Sequence, residues 1–176
     1  LWRKHLSHPN LENPYQGHVP QFSVRMSAVT ASILRPQIPL IDTYADDYRD
    51  MYERLCVILA TSPNIRLPNP DPSASLVSSN VLFELIDMSR DTINAAIKSI
   101  QACGIPLLCF GFNDRNDRCV WNWHYLQPGV ENTVPNCMKV LPNTFDLRLR
   151  RTLSASEVEQ VGTIIVRTIH EAIQRH

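Results

Sequence analysis

The chain has 176 residues, 44% of them hydrophobic, and its 17 basic and 17 acidic side chains give a formal net charge of zero. This length suits one well-buried domain with extensions, or two very small ones. A protein with no net charge is not attracted to nucleic acid by its overall charge. Binding to nucleic acid would therefore require the basic side chains to be gathered on one surface. The five cysteines lack paired spacing, which favours reduced thiols and a cytoplasmic location. No apolar run has transmembrane length, so we expect no membrane partner.

Residues 1–41 are predicted to form an N-terminal arm. Leu1 to Pro20 shows no periodicity and holds several basic side chains among Pro and Asn. This part either lies on the body or on a partner, or contacts DNA phosphate or a minor groove. The next part, Gln21 to Leu34, is compatible with a strand or with a short helix. Arg35-Pro36-Gln37-Ile38-Pro39 is predicted to be extended, because each proline restrains the residue before it.

A helix is predicted from Asp42 or Thr43 to a point before Pro63, with a broad apolar face. That face consists of Tyr44, Tyr48, Met51, Tyr52, Leu55, Val57, Ile58 and Leu59. The proline-rich stretch from Asn64 to Ser75 is interpreted as a surface loop.

The stretch from Val77 to Cys103 is predicted to be a helix-turn-helix. The first helix is predicted from apolar residues at helical spacing, namely Val81, Leu82, Leu85 and Ile86. Asp87-Met88-Ser89 interrupts that pattern, and Ser89 is a suitable N-cap for the second helix. The buried stripe of the second helix is Ile93, Ala96, Ile97 and Ile100, and Gly104 is its C-cap.

A strand, a polar turn and an aromatic strand follow, namely Ile105 to Phe110, Gly111 to Arg118 and Cys119 to Tyr125. Strand, loop and strand after a helix-turn-helix form the wing of a winged helix. The predicted fold class is therefore α+β, mainly α: a winged helix-turn-helix over residues 42–127, with an N-terminal arm and a C-terminal helix.

Several positions in this region resemble the N-terminal domain of biotin ligase repressors and related bacterial winged-helix regulators. They are Met88-Ser89-Arg90, Ile93-Asn94, Ile97 and Gly104 before an apolar strand. The glycine-rich biotin-binding motif of the ligases has no counterpart. The resemblance implies a winged helix that binds specific double-stranded DNA sequences.

The outward positions of the second helix are the candidate DNA-binding residues: Arg90, Thr92, Asn94, Lys98 and Gln101. Arginine can bond guanine with two hydrogen bonds, asparagine and glutamine can contact adenine, and a lysine suits phosphate. The wing would add Asn113, Arg115 and Arg118. Three nearby acids, Asp91, Asp114 and Asp117, argue against the hypothesis because they repel phosphate.

Residues 128–176 are predicted to be a linker and a C-terminal dimerisation helix. Thr144 to Thr152 alternates as a strand or a helix lead-in would, and Ser154 or Ser156 caps the last helix. The apolar stripe assigned to a homodimer interface is Val158, Val161, Ile165 and Ile169. The alternative is that this helix folds back on residues 44–59 of its own chain.

The sequence lacks the common catalytic motifs: no glycine-rich phosphate loop, GxSxG, HExxH or CxxC is present. No set of cysteine and histidine residues has the spacing of a zinc site. We therefore expect no enzyme, no cofactor and no metal. The predicted function is a transcription regulator, or a replication or partition factor of a plasmid or phage. The alternative is a winged-helix protein-interaction module in a nucleoprotein assembly.

Overall fold

The structure, a computed structural model, describes residues 26–74, 76–110, 129 and 133–175. The helices are α1 (Ala28–Leu34), α2 (Ile41–Leu59), α3 (Arg90–Ala102), α4 (Pro135–Val140) and α5 (Ala155–Arg175). The 3₁₀ helices are Arg35–Leu40 and Leu141–Asn143. The strands are β1 (Ile65–Arg66), β2 (Asn80–Leu85), β3 (Leu107–Cys109) and β4 (Thr144–Arg148).

The four strands form one sheet in the order β1-β2-β4-β3, and every neighbouring pair is antiparallel. Because β2 and β3 both run against β4, they are parallel to each other, with β4 between them. Helix α3 connects them as a crossover. The long β2–β4 pairing, with Phe83 opposite Phe145, forms the centre of the sheet.

The predicted first helix of the helix-turn-helix is in fact strand β2, so this prediction is wrong. Val81, Phe83 and Leu85 are buried on one face, whereas Leu82 between them is exposed. Such a burial pattern has the period of two that belongs to a strand. So short an apolar run is compatible with the period of a helix and with that of a strand. It forms a strand here because it pairs with β4.

Helix α3 confirms the predicted second helix. The Ser89 side chain accepts a hydrogen bond from the backbone N–H of Thr92 at 3.1 Å, as an N-cap does. Its predicted apolar stripe is buried. Gly104 follows with a φ of +81°, which glycine adopts without the strain that a side chain would add.

The predicted wing is also contradicted at its first strand, because within the described residues β3 pairs with β4, which lies beyond the predicted wing in the chain. Residues 119–125, assigned to the second wing strand, lie outside the described residues. Of the two alternatives left open for Thr144 to Thr152, residues 144–148 adopt the strand, β4, where Phe145 and Leu147 are buried.

Helix α5 packs against α2 and α3 of its own chain. Gly162 permits this approach, since a Cβ atom there would lie 2.9 Å from Cγ2 of Ile58. The residues assigned to dimerisation take part in the same packing. Val158, Ile165 and Ile169 are buried, and Val161 is half-buried against the core. The packing of α5 therefore agrees with the alternative prediction, in which the last helix folds back on residues 44–59 of its own chain.

A single hydrophobic core joins the sheet to α2, α3 and α5, with residues from Met51 to Ala172. Its centre holds the rings of Phe83 and Phe145, stacked with centroids 5.6 Å apart. The core extends across position 127, where the domain boundary was predicted. In the described part of the chain, α2, α3 and α5 therefore pack on one face of an antiparallel sheet, and the architecture is not a winged helix.

Residues 26–41 form a helical arm that stands apart from this core. Helix α1 starts at Ser27, whose side chain accepts from the backbone N–H of Thr30 at 3.0 Å. A strand and a short helix were both compatible with the sequence from Gln21 to Leu34, and residues 28–34 of it form a helix. The segment predicted to be extended is a 3₁₀ helix, and neither element contains a buried residue.

Candidate functional site

The candidate DNA-binding residues of α3 do not form one outward surface. Thr92 is buried, and its hydroxyl lies 2.7 Å from that of Ser89. Arg90 donates to the backbone carbonyl of Pro142 at 2.9 Å, which ties α3 to the segment before β4. The side-chain amide of Gln101 donates to the carbonyl of Leu107 at 3.0 Å.

The remaining candidates divide between the helix and the undescribed loop. Lys98 is exposed and Asn94 is half-buried. Asn113, Arg115 and Arg118 lie outside the described residues. Three of the candidate side chains of α3 therefore bond to groups of the same chain: to the N-cap Ser89, to Pro142 and to Leu107.

The most distinctive surface is an apolar one on the arm, which we call the arm surface. Its seven side chains are between 42% and 70% exposed. They are Met26, Val29, Ile33, Leu34, Ile38, Leu40 and Ile41. Exposed apolar surface is typical of an interaction site.

A groove of about 560 Å³ runs along the arm surface. It is lined by Leu34, Ile38 and Ile41 and reaches Tyr44 at the start of α2. The guanidinium of Arg151 stacks on the Tyr44 ring at 3.6 Å and pairs with Asp47 at 3.2 Å. These contacts fasten the turn after β4 to α2 beside the groove.

The face of the sheet that points away from the helices carries polar groups. The Asn80 side chain donates to Oδ1 of Asp146 at 2.5 Å, and Asp146 is only 4% exposed. Farther along, Arg66 on β1 donates through Nε to Glu84 on β2 at 2.9 Å. A buried carboxylate needs such hydrogen bonds to offset its lost hydration. The cross-strand bonds hold the sheet together on this side.

Two potential nucleophiles in the described part of the chain, Cys56 and Tyr52, are not activated. Burial raises the pKa of the Cys56 thiol, and it also raises the pKa of Tyr52 beside it to about 12. Both groups are therefore protonated at neutral pH, and a protonated thiol is a poor nucleophile. Within the described residues, no three histidine, cysteine or acidic side chains are close enough to hold a metal ion. In that same part of the chain, no helix is long and apolar enough to cross a membrane.

No protein-family model and no curated protein sequence matches this chain, but its fold is similar to several solved structures. One is 3-amino-5-hydroxybenzoic acid synthase, with a TM-score of 0.65 and 18% identity, covering 99% of this chain and 46% of the other. A sugar aminotransferase from Streptococcus pneumoniae has a TM-score of 0.66 and 16% identity, with 89% of this chain and 38% of the other covered. The aminotransferase TlmJ from Streptoalloteichus hindustanus has a TM-score of 0.65 and 19% identity, with 82% and 37% covered.

The chain has the fold of part of these aminotransferases. It spans less than half the length of each of the three solved chains. At this level of identity the likeness concerns the fold, whereas the chemistry depends on the residues of the site.

These neighbours overturn the functional predictions that rested on a winged helix. The resemblance to biotin ligase repressors is wrong, because the matching structures are aminotransferases. The predictions of double-stranded DNA as partner, of a transcription, replication or partition factor, and of a nucleoprotein module are wrong with it. The expectation that the chain is not an enzyme is contradicted by the same finding, because the similar structures are enzymes.

The pyridoxal phosphate (PLP) form of the Streptococcus pneumoniae protein raises the question of whether this chain could hold that cofactor. PLP enzymes bind it through a lysine, with an Asp or Arg beside the pyridinium nitrogen. Among the described residues, Lys98 and Lys139 are both exposed. Asp146 is buried, but it is bonded to Asn80 within the sheet. The described residues do not by themselves fit a complete PLP site, so we assign them no step of transamination.

Proposed function

We propose that this chain is part of a PLP-dependent aminotransferase, and that it serves as a rigid body against which the cofactor-binding part of the enzyme packs. The observation that carries the proposal is the similarity of its fold to aminotransferases over 82–99% of its length. A sugar is the substrate class we propose, after the Streptococcus pneumoniae protein.

In this proposal the arm surface is the contact with the rest of the enzyme. The body needs no partner to close its core, since the stripe of α5 is buried against α2 and α3. The arm has no such cover within the described residues, because α1 and the 3₁₀ helix contain no buried residue. The matched structures are more than twice as long as the part that this chain covers. The occupant we propose for the arm surface is therefore the remaining part of that fold.

The residues of the chain would then act by positioning and by excluding water. Burial of the arm surface would hold the body in one orientation relative to the reacting groups, and small misplacements of such groups reduce rates strongly. The Arg151 contacts with Tyr44 and Asp47 would support the arm from behind. We also propose a cytoplasmic location, since the five cysteines of the sequence lack the paired spacing of a disulfide framework.

Two matched valines test the proposal in the natural protein that carries this chain. Val29 lies on the arm surface and is 70% exposed, whereas Val57 lies on α2 away from the arm surface and is 72% exposed. We expect Val29→Asp to lower amino-group transfer from an amino acid to a keto sugar by roughly ten- to a hundredfold. Val57→Asp should leave the rate unchanged. The bound PLP is measured from its visible absorbance, and self-association by sedimentation velocity.

The outcomes separate the two parts of the proposal. If the unaltered protein neither binds PLP nor transfers amino groups, the aminotransferase assignment fails. If it does both and the two valine variants behave alike, the arm surface is not the contact. If Val29→Asp changes only the sedimentation coefficient, with full activity, a second copy of the chain covers the arm.

A further inference from the structure

A second cavity, on the opposite side of α2 from the exposed Val57, lies among the core elements. It has a volume of about 350 Å³ and is bounded by α2, α5, the end of β4 and the turn between α3 and β3. This volume is within the range of small-molecule sites, about 300 to 1,000 Å³. Its walls are apolar: Leu55, Ile105, Leu147, Leu149 and Val158 line it and are all buried.

The mouth of this cavity has a different character from its walls. Gly104 and Pro106 line it and are exposed, so the cavity opens at the turn before β3. A Cβ atom on Gly104 would meet nothing within 4 Å, which agrees with open space at this point.

Two arginines, Arg148 and Arg150, also line the cavity, and both are exposed. Neither forms an ion pair with a residue that the structure describes, in contrast to Arg151, which pairs with Asp47. Among the described residues that line the cavity, none is acidic. The described lining residues thus carry positive charge at the mouth and no charge inside.

We propose that this cavity binds an organic carboxylate with an apolar tail. The tail would lie against the half-buried side chains of Leu153 and Val161, where it loses contact with water. The carboxylate would remain at the mouth, where guanidinium groups form strong, charge-assisted hydrogen bonds with it. The proposal rests on the shape and charge of the cavity and is independent of the aminotransferase assignment.

The alternative ligand classes fit less well. A fully polar anion, such as inorganic phosphate, would leave the apolar interior unfilled. An uncharged alkane-like ligand would not use the two arginines, and a cation would be repelled by them. The carboxylate with an apolar tail is the class that uses both halves of the site.

Calorimetric titration of the 176-residue chain with octanoate, octan-1-ol and acetate tests the proposal. We expect octanoate to bind about tenfold more tightly than octan-1-ol, because one charged hydrogen bond is worth at least that factor. Acetate should not bind measurably, since it lacks the tail. In the double variant Arg148→Gln/Arg150→Gln, the affinity for octanoate should fall to that for octan-1-ol.

Two further variants locate the site. Arg167→Gln is the matched control, because Arg167 is an exposed arginine of α5 that does not line the cavity. It should bind octanoate like the unaltered chain. Val161→Phe places a ring into the cavity and should abolish binding, whereas a ligand on the arm surface would be unaffected. A thermal melt of each variant without ligand checks that it is folded.

The proposal is overturned if octanoate does not bind, or if octanoate and octan-1-ol bind equally well. It is also overturned if the double glutamine variant retains the full affinity for octanoate. Binding that survives Val161→Phe in a folded protein would assign the ligand to another surface.

Discussion

Helices α1 and α3 begin with the same local structure and have opposite surroundings. Each starts at a serine followed three positions later by a threonine, Ser27 with Thr30 and Ser89 with Thr92. The serine hydroxyl accepts from the threonine N–H at 3.0 Å in α1 and 3.1 Å in α3. The two hydroxyls of each pair are 2.8 Å and 2.7 Å apart. Yet α3 has five buried residues and α1 has none.

The comparison separates helix formation from helix burial. The caps and the spacing of apolar residues are local, and they suffice to produce a helix in both places. Burial requires a complementary surface, which the sheet and α5 provide for α3. For α1 the described residues provide none, although Val29 and Ile33 are as apolar as the stripe of α3. Apolar side chains in a helix therefore indicate that a partner exists, without showing whether it lies in the same part of the chain.

The largest expected difference between the two regions is in the cost of removing an apolar side chain. Phe145 is fully buried beside Phe83, whereas Ile33 on the arm is 59% exposed. Phe145→Ala should lower the free energy of unfolding by about 3–5 kcal/mol, because it leaves a cavity in the core. Ile33→Ala should change it by less than about 0.5 kcal/mol. Urea denaturation of the 176-residue chain measures both values.

Similar losses from the two substitutions would show that the arm packs into the folded body in solution, and the comparison between the regions would break down.

A smaller difference is expected between the two serine caps. Ser89→Ala should lower the free energy of unfolding by about 1 kcal/mol, because the cap belongs to the cooperative core. Ser27→Ala removes an equivalent hydrogen bond, but from a helix that contributes no buried residue. We expect the midpoint of urea denaturation to stay unchanged, with increased amide hydrogen exchange limited to α1.

Equal shifts of the midpoint in the two variants would instead couple α1 to the global unfolding transition. The two substitutions are chemically identical, so helix propensity cancels from the comparison.

The smallest effect concerns pH and the cap of α5. Glu157 accepts from the backbone N–H and the hydroxyl of Ser154, both at 2.7 Å. These bonds lower the pKa of Glu157 below its ordinary value of 4.5. Since the folded-state pKa is depressed, this contribution to stability is present above about pH 4.5 and is lost as the pH falls through the folded-state value. The first turn of α1 contains no acidic residue, so the arm has no corresponding dependence.

Glu157→Gln should accordingly weaken the dependence of the urea midpoint on pH between neutral and acidic solutions. An NMR titration of the Glu157 carboxyl group gives the pKa directly. A value at or above the ordinary one would contradict the cap.

Much of the secondary structure could be predicted from the sequence, and the exceptions have physical causes. Helices α2, α3 and α5 are long enough for a period near 3.6 to be distinguished from a period of two. The six residues of β2 are too few, because Val81 and Leu85 lie on one face in either structure. The mistaken helix there turned a crossover between two parallel strands into a helix-turn-helix. The DNA-binding hypothesis followed from that error together with the predicted wing and the resemblance to biotin ligase repressors.

The candidate site was less accessible to sequence reasoning. The apolar residues of the arm surface were visible, but a strand and a helix could not be distinguished in that stretch. The cavity lined by Leu55, Leu149 and Val161 joins positions more than a hundred residues apart, so no local pattern contains it. The same holds for the Asn80–Asp146 hydrogen bond across the sheet.

The sequence by itself determined several local features of this protein: where α2, α3 and α5 lie, that Ser89 caps α3, and which face of α3 is apolar. These depend on interactions among residues a few positions apart. Only the tertiary structure decided that Val81 to Leu85 is a strand, that α5 covers its own core, and that the arm stays exposed. Those outcomes depend on pairing and packing between distant segments, and the free energy of such contacts cannot be assigned until both partners are known.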